Sequence, residues 1–402
     1  MSIIQRFKAI GPGAMVAAAF IGPGTVTTAS VTGAEFGYAL LWTIVFSIFA
    51  TIVLQEMSAR LGLVSGNGLG EALRERFDNQ IVEYVSIFLV VGAIGIGTAA
   101  YEAGNILGGA AGLATITGIS STIWGVVIGL VAGALLYTGR YKLIERALVG
   151  LVALMAISFV ASAILIGPDP SAIAIGFVPS IPSGSLYLIT GLIGTTIVGY
   201  NLFLHASNVQ ERWDGPEDIN HSRVDTILSI VVGGLITITI MVTAAAAFEP
   251  GTQINDVGQM ANQLRPLAGP YAELFFSIGL FAAGFTSATT APLAGAWATT
   301  GALGWDTDLQ STRFRAVWAT ILGVGILSVV LGGSPVQIIV FAQVVNGILL
   351  PIVAVFLIYA MNQEDLLGEY TNKPVTNVLG ATVTIIVVWL GIRTLLNVAG
   401  VL

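Results

Sequence analysis

Read from its first residue, the chain is a succession of long apolar stretches separated by short polar ones, with too few polar residues inside each stretch to make a water-facing side. A helix needs an apolar run of about 17–25 residues to cross the hydrocarbon core of a bilayer. Eleven places meet that pattern: Gly11–Tyr38, Leu40–Leu63, Ile81–Leu107, Thr122–Tyr137, Ala147–Ile166, Leu186–Ala206, Thr226–Phe248, Ala272–Leu303, Ala316–Leu331, Val336–Met361 and Val375–Val398. The pattern predicts an all-α polytopic membrane protein of about eleven transmembrane helices.

Assigning the loops alternately to the two faces puts Arg6, Lys8, Arg60, Arg74, Arg76, Arg140, Lys142, Arg146, Arg212, Arg223, Arg313, Arg315 and Lys373 on one side and only Arg265 and Arg393 on the other. Basic residues collect in cytoplasmic loops. The bias therefore predicts a cytoplasmic N-terminus and an external C-terminus, and a span more or fewer would scramble it.

Two spans are interrupted. Span 1 carries "FIGPGTVTTAS" and span 6 carries "TTIVGYNLFLHAS". Spans 3 and 8 share a small-residue character, "GAIGIGTAAYEAGNILGGAAG" against "GLFAAGFTSATTAPLAGAWA". Five spans per unit force the second unit to run upside down relative to the first. The expected organisation is thus a first inverted repeat over 1–166, a second over 167–361, and an additional span in 362–402. Matched breaks in the first helix of each repeat point to the substrate site of a secondary transporter.

Composition narrows the class. Of 402 residues 55% are hydrophobic and 9% charged, against about 25% charged in soluble domains. Mean hydropathy is +0.90. The opening MSIIQRFKAI has no separate apolar region ending in a small-residue cleavage site, so no removable signal is expected. The absence of cysteine excludes disulfides and thiolate chemistry, and the formal charge of −7 argues against nucleic-acid binding. There is no phosphate-binding Walker loop, and His205 and His221 form no zinc-binding HExxH pair. Neither an enzyme nor a resident cofactor is expected, and the sequence carries no signal for oligomeric state.

Unwinding at membrane depth frees backbone groups that lipid cannot satisfy, so each break must face protein or a cavity. At the first break, placed at 22–25, Gly22 exposes backbone and Thr25 and Thr27 add hydroxyls. At the second, placed at 198–201, Gly199 gives flexibility, Tyr200 a phenol and Asn201 an amide, with the Thr195 and Thr196 hydroxyls just before it.

Several stretches resemble the NRAMP family of proton-coupled divalent metal transporters. "GPGAMVAAAFIGPGTVTTASVTGAEFGYALLW" is similar to its first helix, with a GPG and then a D-P-G-N break. "EMSARLGLVSGNGL" is similar to its second helix and loop, and "NLFLHASNVQER" to its sixth helix after an M-P-H-N break. "GLFAAGFTSATTAPLAGAW" and "FAQVVNGILLPI" are similar to its eighth and tenth. The resemblance implies the LeuT-type fold of two inverted five-helix repeats, a prokaryotic plasma membrane location and a divalent metal ion as the substrate partner.

The departures lie in the signature ligands. Gly22 stands where the family pattern has aspartate, Thr25 where it has asparagine, Val198 where it has methionine, and Gly199 and Tyr200 where it has proline and histidine. Thioether sulfur selects softer transition metals, whereas an oxygen-only site suits hard cations. Magnesium gives up water reluctantly. A metal site of Gly22, Thr25, Thr195 and Asn201, with Val198, Tyr200 and Gln343 around it, is therefore expected to pass hydrated magnesium, with manganese as a permissive second ion. Glu102 matches the acidic residue of the third helix used in proton movement, with Ala99 at the pattern's other acidic position, and His205 matches a sixth-helix histidine; these two are the candidate proton pathway. Two alternatives stay open: a small organic solute, for which Gly22 would make room, and a non-transporting sensor or scaffold. Glu56 is expected to pair with Arg60 one turn on, Glu35 to line an outer vestibule or be solvated, and Asp225 to cap the helix of span 7.

Overall fold

The computed structural model describes residues 21–74, 80–138 and 142–401, and all regular structure among them is helical. The first half of span 1, Gly11–Phe20, and the basic residues Arg6, Lys8, Arg76 and Arg140 lie outside the described residues. The long helices are α1 (Pro23–Phe36), α2 (Leu41–Ser65), α3 (Gln80–Thr117), α4 (Ser121–Thr138), α5 (Lys142–Ile166), α6 (Leu186–Thr196), α7 (Gly199–Asn208), α8 (Ile219–Ala247), α9 (Ala272–Leu303), α10 (Thr312–Leu331), α11 (Pro335–Ala360) and α12 (Pro374–Val398). Ten segments among the described residues are long and apolar enough to cross a membrane, α6 and α7 counting as one. With α1, the described end of span 1, these are the eleven spans that the hydrophobic pattern marks.

The ends differ where polar residues continue a helix past its apolar run. Helix α5 begins at Lys142 rather than Ala147 and α10 at Thr312 rather than Ala316, because α10 is capped by Ser311, whose hydroxyl accepts from the Phe314 amide at 3.2 Å. Asp225 is no cap: α8 starts six residues earlier, at Ile219, and Asp225 is buried within it.

Burial sorts the helices into centre and rim. In the span formed by α6 and α7, 89% of the most apolar window is buried, against 22% in α5. The broken helix is thus central. The rim carries exposed Ile81, Phe88, Ile164, Leu331 and Val378, an apolar exterior that a bilayer solvates and water would not.

With little hydrophobic drive between helices in lipid, close packing of small residues holds the bundle. Helix α3 lies along α9, where a Cβ on Gly284 would fall 2.5 Å from the Gly109 nitrogen and one on Gly112 would fall 2.5 Å from the Ser277 carbonyl. Helix α6 meets α11 as closely: a Cβ on Gly194 would sit 2.0 Å from the Gln343 carbonyl oxygen. That second contact carries Gln343 of α11 up to the break between α6 and α7.

Candidate substrate site at the two helix breaks

Helix α1 starts on Pro23, which lacks an amide proton and suits a first helical position, while Gly22 before it is extended (φ −100°, ψ −175°) and no side chain caps the helix. Helix α6 stops at Thr196. Ile197 and Val198 leave helical geometry (ψ 81° and 119°), and α7 begins at Gly199, again without a side-chain cap. The second break is therefore shorter and earlier than the expected 198–201: two β-branched residues, which favour extended backbone, form it, and Gly199, Tyr200 and Asn201 already belong to the first turn of α7. Thr25 likewise lies in the first turn of α1.

The two breaks touch. The Thr25 and Thr195 hydroxyls are 2.8 Å apart, both residues fully buried. Gln343 lies over the first turn of α1, so close that a Cβ on Gly24 would be 2.3 Å from its Nε2; its Oε1 is buried with no partner. Asn346, one turn along α11, donates to the Gly194 carbonyl of α6. Asn201 is buried with neither end of its amide bonded, and Thr27 and Thr28 bury unbonded hydroxyls on α1. Buried polar atoms are nearly always paired, so the unbonded Gln343 oxygen over the first turn of α1 is open to a polar partner there.

The other expected residues surround this junction. Val198 is buried at the N-cap of α7, and Tyr200 packs edge-on against Tyr101 of α3, ring centres 5.6 Å apart. Gly22 has separate company: a Cβ there would lie 3.1 Å from the Ser287 Oγ of α9 and 3.9 Å from the Asn105 Oδ1 of α3. Asn105 in turn donates from Nδ2 to Glu102 Oε2 at 3.3 Å. Ser287 and Asn105 are absent from the residues expected above. Asn105 had a usable signal, since three residues from Glu102 puts it on the same helix face; Ser287 had none.

Glu102 and His205 are both fully buried but face different helices. The Glu102 side chain lies against Gly325 of α10, and His205 Nε2 pairs with Thr226 Oγ1 of α8 at 3.0 Å. Among the described residues no group of three or more His, Asp and Glu side chains is placed to hold a metal. What the breaks offer is neutral oxygen: hydroxyls, amide oxygens and the last carbonyls of α6, whose helix has no further amides to satisfy them.

Cavities lie at both ends of the bundle. One of about 560 Å³, lined by Val31, Glu35, Tyr187, Gln253, Asn255 and Val340, sits beside the second half of α1, with Val31 one turn beyond Thr27 and Thr28. At the other end a cavity of about 670 Å³ gathers Glu56, Arg60, Arg223, Tyr370 and Lys373. There Glu56 holds Arg60 at 3.2 Å, as the one-turn spacing predicts, and also Arg223 at 2.6 Å, while Arg60 donates to Asn372 Oδ1 at 2.7 Å. These bonds tie α2 to α8 and to the segment before α12.

Residues 13–397 match the family described as Natural resistance-associated macrophage protein-like, Nramp. The divalent metal cation transporter MntH of Deinococcus radiodurans is 29% identical over 392 residues, covering 94% of this chain and 87% of that protein. The protein of the same name from Klebsiella pneumoniae strain 342 is 29% identical over 406 residues, 98% of this chain and 96% of its own. Among solved structures, the Eremococcus coleocola manganese transporter bound to an aromatic bis-isothiourea compound superposes with a TM-score of 0.79 at 21% identity, over 96% of this chain and 85% of that one. Inward-facing Mhp1 gives 0.57 at 16% identity, over 97% and 91%. The fold is thus the LeuT type.

Proposed function

The chain belongs to the Nramp family of membrane transporters, and on that footing we propose that it carries a divalent cation, hydrated magnesium with manganese as a permissive second ion, through the junction of its two helix breaks. The observation that carries this reading is the chemistry of the junction: Thr25 and Thr195 joined at 2.8 Å, the Gln343 oxygen unbonded over the first turn of α1, the Asn201 amide unbonded in the first turn of α7, and neither a carboxylate nor a sulfur at positions 22 and 198. A dehydrated divalent ion would find too little here to offset its lost water. A partly hydrated magnesium ion, which keeps several waters and meets protein oxygen through them, fits neutral donors.

Alternating access is carried by the two halves, 1–166 and 167–361, moving about the junction while 362–402 adds the eleventh span. The N-terminus lies in the cytoplasm, so that the cavity at Glu35 faces outward and the Glu56–Arg60–Arg223 cluster, with Lys373 beside it, faces inward. The two candidate proton groups face different helices, Glu102 toward Asn105 and Gly325 and His205 toward Thr226 of α8. Gly22→Asp tests the reading: restoring a carboxylate beside Ser287 and Asn105 is expected to tighten magnesium and manganese binding at least tenfold by titration calorimetry. Loss of all ligand effects in that folded variant would point instead to an organic solute held in the space Gly22 leaves.

A further inference from the structure

Position 22 has no side chain, yet the space its side chain would take is not apolar. It is bounded by the Ser287 hydroxyl at 3.1 Å and the Asn105 carbonyl oxygen at 3.9 Å from an ideal Cβ. Asn105 is 1% exposed, and its orientation is set from behind: Nδ2 donates to Glu102 Oε2, which leaves Oδ1 as the end that faces the break. Glu102 is fully buried, its other oxygen, Oε1, has no partner, and its methylene chain packs on Gly325 of α10. A carboxylate this deeply buried and bonded only to a neutral amide keeps its charge only while a cation is close, and takes up a proton when none is.

We propose that Asn105 and Glu102 together replace the carboxylate missing at position 22, Asn105 presenting its oxygen to the cation or its water and Glu102 supplying the negative charge from one side chain further back. The inference rests on the divalent-cation reading above and adds a specificity device to it. A carboxylate in direct contact strips water from an ion and rewards any divalent metal. A carboxylate set one amide away attracts charge without competing for the inner coordination sphere, which suits an ion that keeps its water. Asn105 and Glu102 lie one turn apart on α3, so the pair moves as a unit with that helix.

The test measures magnesium and manganese binding to the detergent-purified full chain by calorimetry, with thermal unfolding of each variant recorded alongside. Asn105→Leu, of similar volume, and Glu102→Gln are each expected to weaken magnesium binding at least tenfold while unfolding cooperatively. The double variant Asn105→Asp/Glu102→Gln, which moves the charge forward from position 102 to position 105, is expected to regain affinity and to favour manganese over magnesium relative to the parent. If Asn105→Leu binds magnesium as the parent does, or if the moved charge restores nothing, the inference fails while the transport reading stands. A parent chain that binds neither ion overturns both.

Discussion

The contact between Gly24 and Gln343 yields a prediction in which two principles disagree about sign. Gly24→Ala lies in the first turn of α1, where helix propensity alone makes alanine better than glycine by roughly 0.5–1 kcal/mol. The new Cβ would fall 2.3 Å from Gln343 Nε2, 2.5 Å from Cδ and 2.8 Å from Oε1. Ordinary contact is about 3.5 Å or more, so the amide must withdraw by about 1 Å. Gln343 is 1% exposed and its side chain is held by one long bond, Nε2 to the Ile339 carbonyl at 3.4 Å. Such overpacking costs about 1–3 kcal/mol, which exceeds the propensity gain. Gly24→Ala is therefore expected to lower thermal stability and, by displacing Gln343, to weaken divalent binding about tenfold. In a Gln343→Ala background the obstacle is gone and the same substitution should stabilise by roughly 0.5–1 kcal/mol. Thermal unfolding and calorimetric affinity for the four proteins of the cycle measure this. Additive effects, with Gly24→Ala harmful in both backgrounds, would refute the placement of Gln343 over α1, because coupled neighbours are non-additive by 0.5–3 kcal/mol.

Further predictions follow from other contacts. Val198→Met puts a soft sulfur at the buried N-cap of α7, and cadmium binding should strengthen about tenfold or more while magnesium binding weakens; equal affinities before and after would remove Val198 from the site. A Cβ on Gly62 would meet the Ala206 backbone carbonyl at 2.0 Å, and since backbone cannot rotate away, Gly62→Ala should lower the unfolding temperature clearly, by the equivalent of at least 1–3 kcal/mol. The chain has no cysteine, so Ser183→Cys and Gln310→Cys are single reporters: an impermeant maleimide should label the first from outside intact cells and the second only after lysis, and the reverse pattern would invert the topology. Glu56→Gln removes the charge that holds Arg60 and Arg223, and should raise labelling of a cysteine placed at Asn220, on the wall of that inner cavity.

The hydrophobic pattern located the spans because bilayer thickness and backbone satisfaction leave few alternatives, but not all their ends: α9 runs over the same Ala272–Leu303 in sequence and structure, whereas α3 continues to Thr117 instead of ending at Leu107 and α8 starts at Ile219 instead of Thr226. Gly22–Pro23–Gly24 and Val198–Gly199 announced the breaks, since glycine and proline interrupt a helix on local grounds. Their exact place was less legible. Proline at 23 starts a helix as readily as it ends one, and β-branching at Ile197 and Val198 shifts the second break ahead of the glycine. The pairing of Thr25 with Thr195, across 170 residues, was legible only in so far as both lie beside a break. Ser287 facing Gly22 was not legible at all, because helix rotation within the bundle is set by packing of α3 on α9 rather than by any spacing. The same holds for Gln263, whose amide leaves the loop before α9 to donate to Ser30 of α1 at 2.8 Å; in sequence it is one polar residue among several in a loop.

The most direct test of a neutral, water-tolerant divalent site is uptake into liposomes holding the purified chain, read with a magnesium-sensitive dye beside manganese-sensitive and pH-sensitive dyes. Saturable magnesium entry, with manganese entering too and the lumen not acidifying, is the expected result. Folded protein that admits neither metal would contradict it.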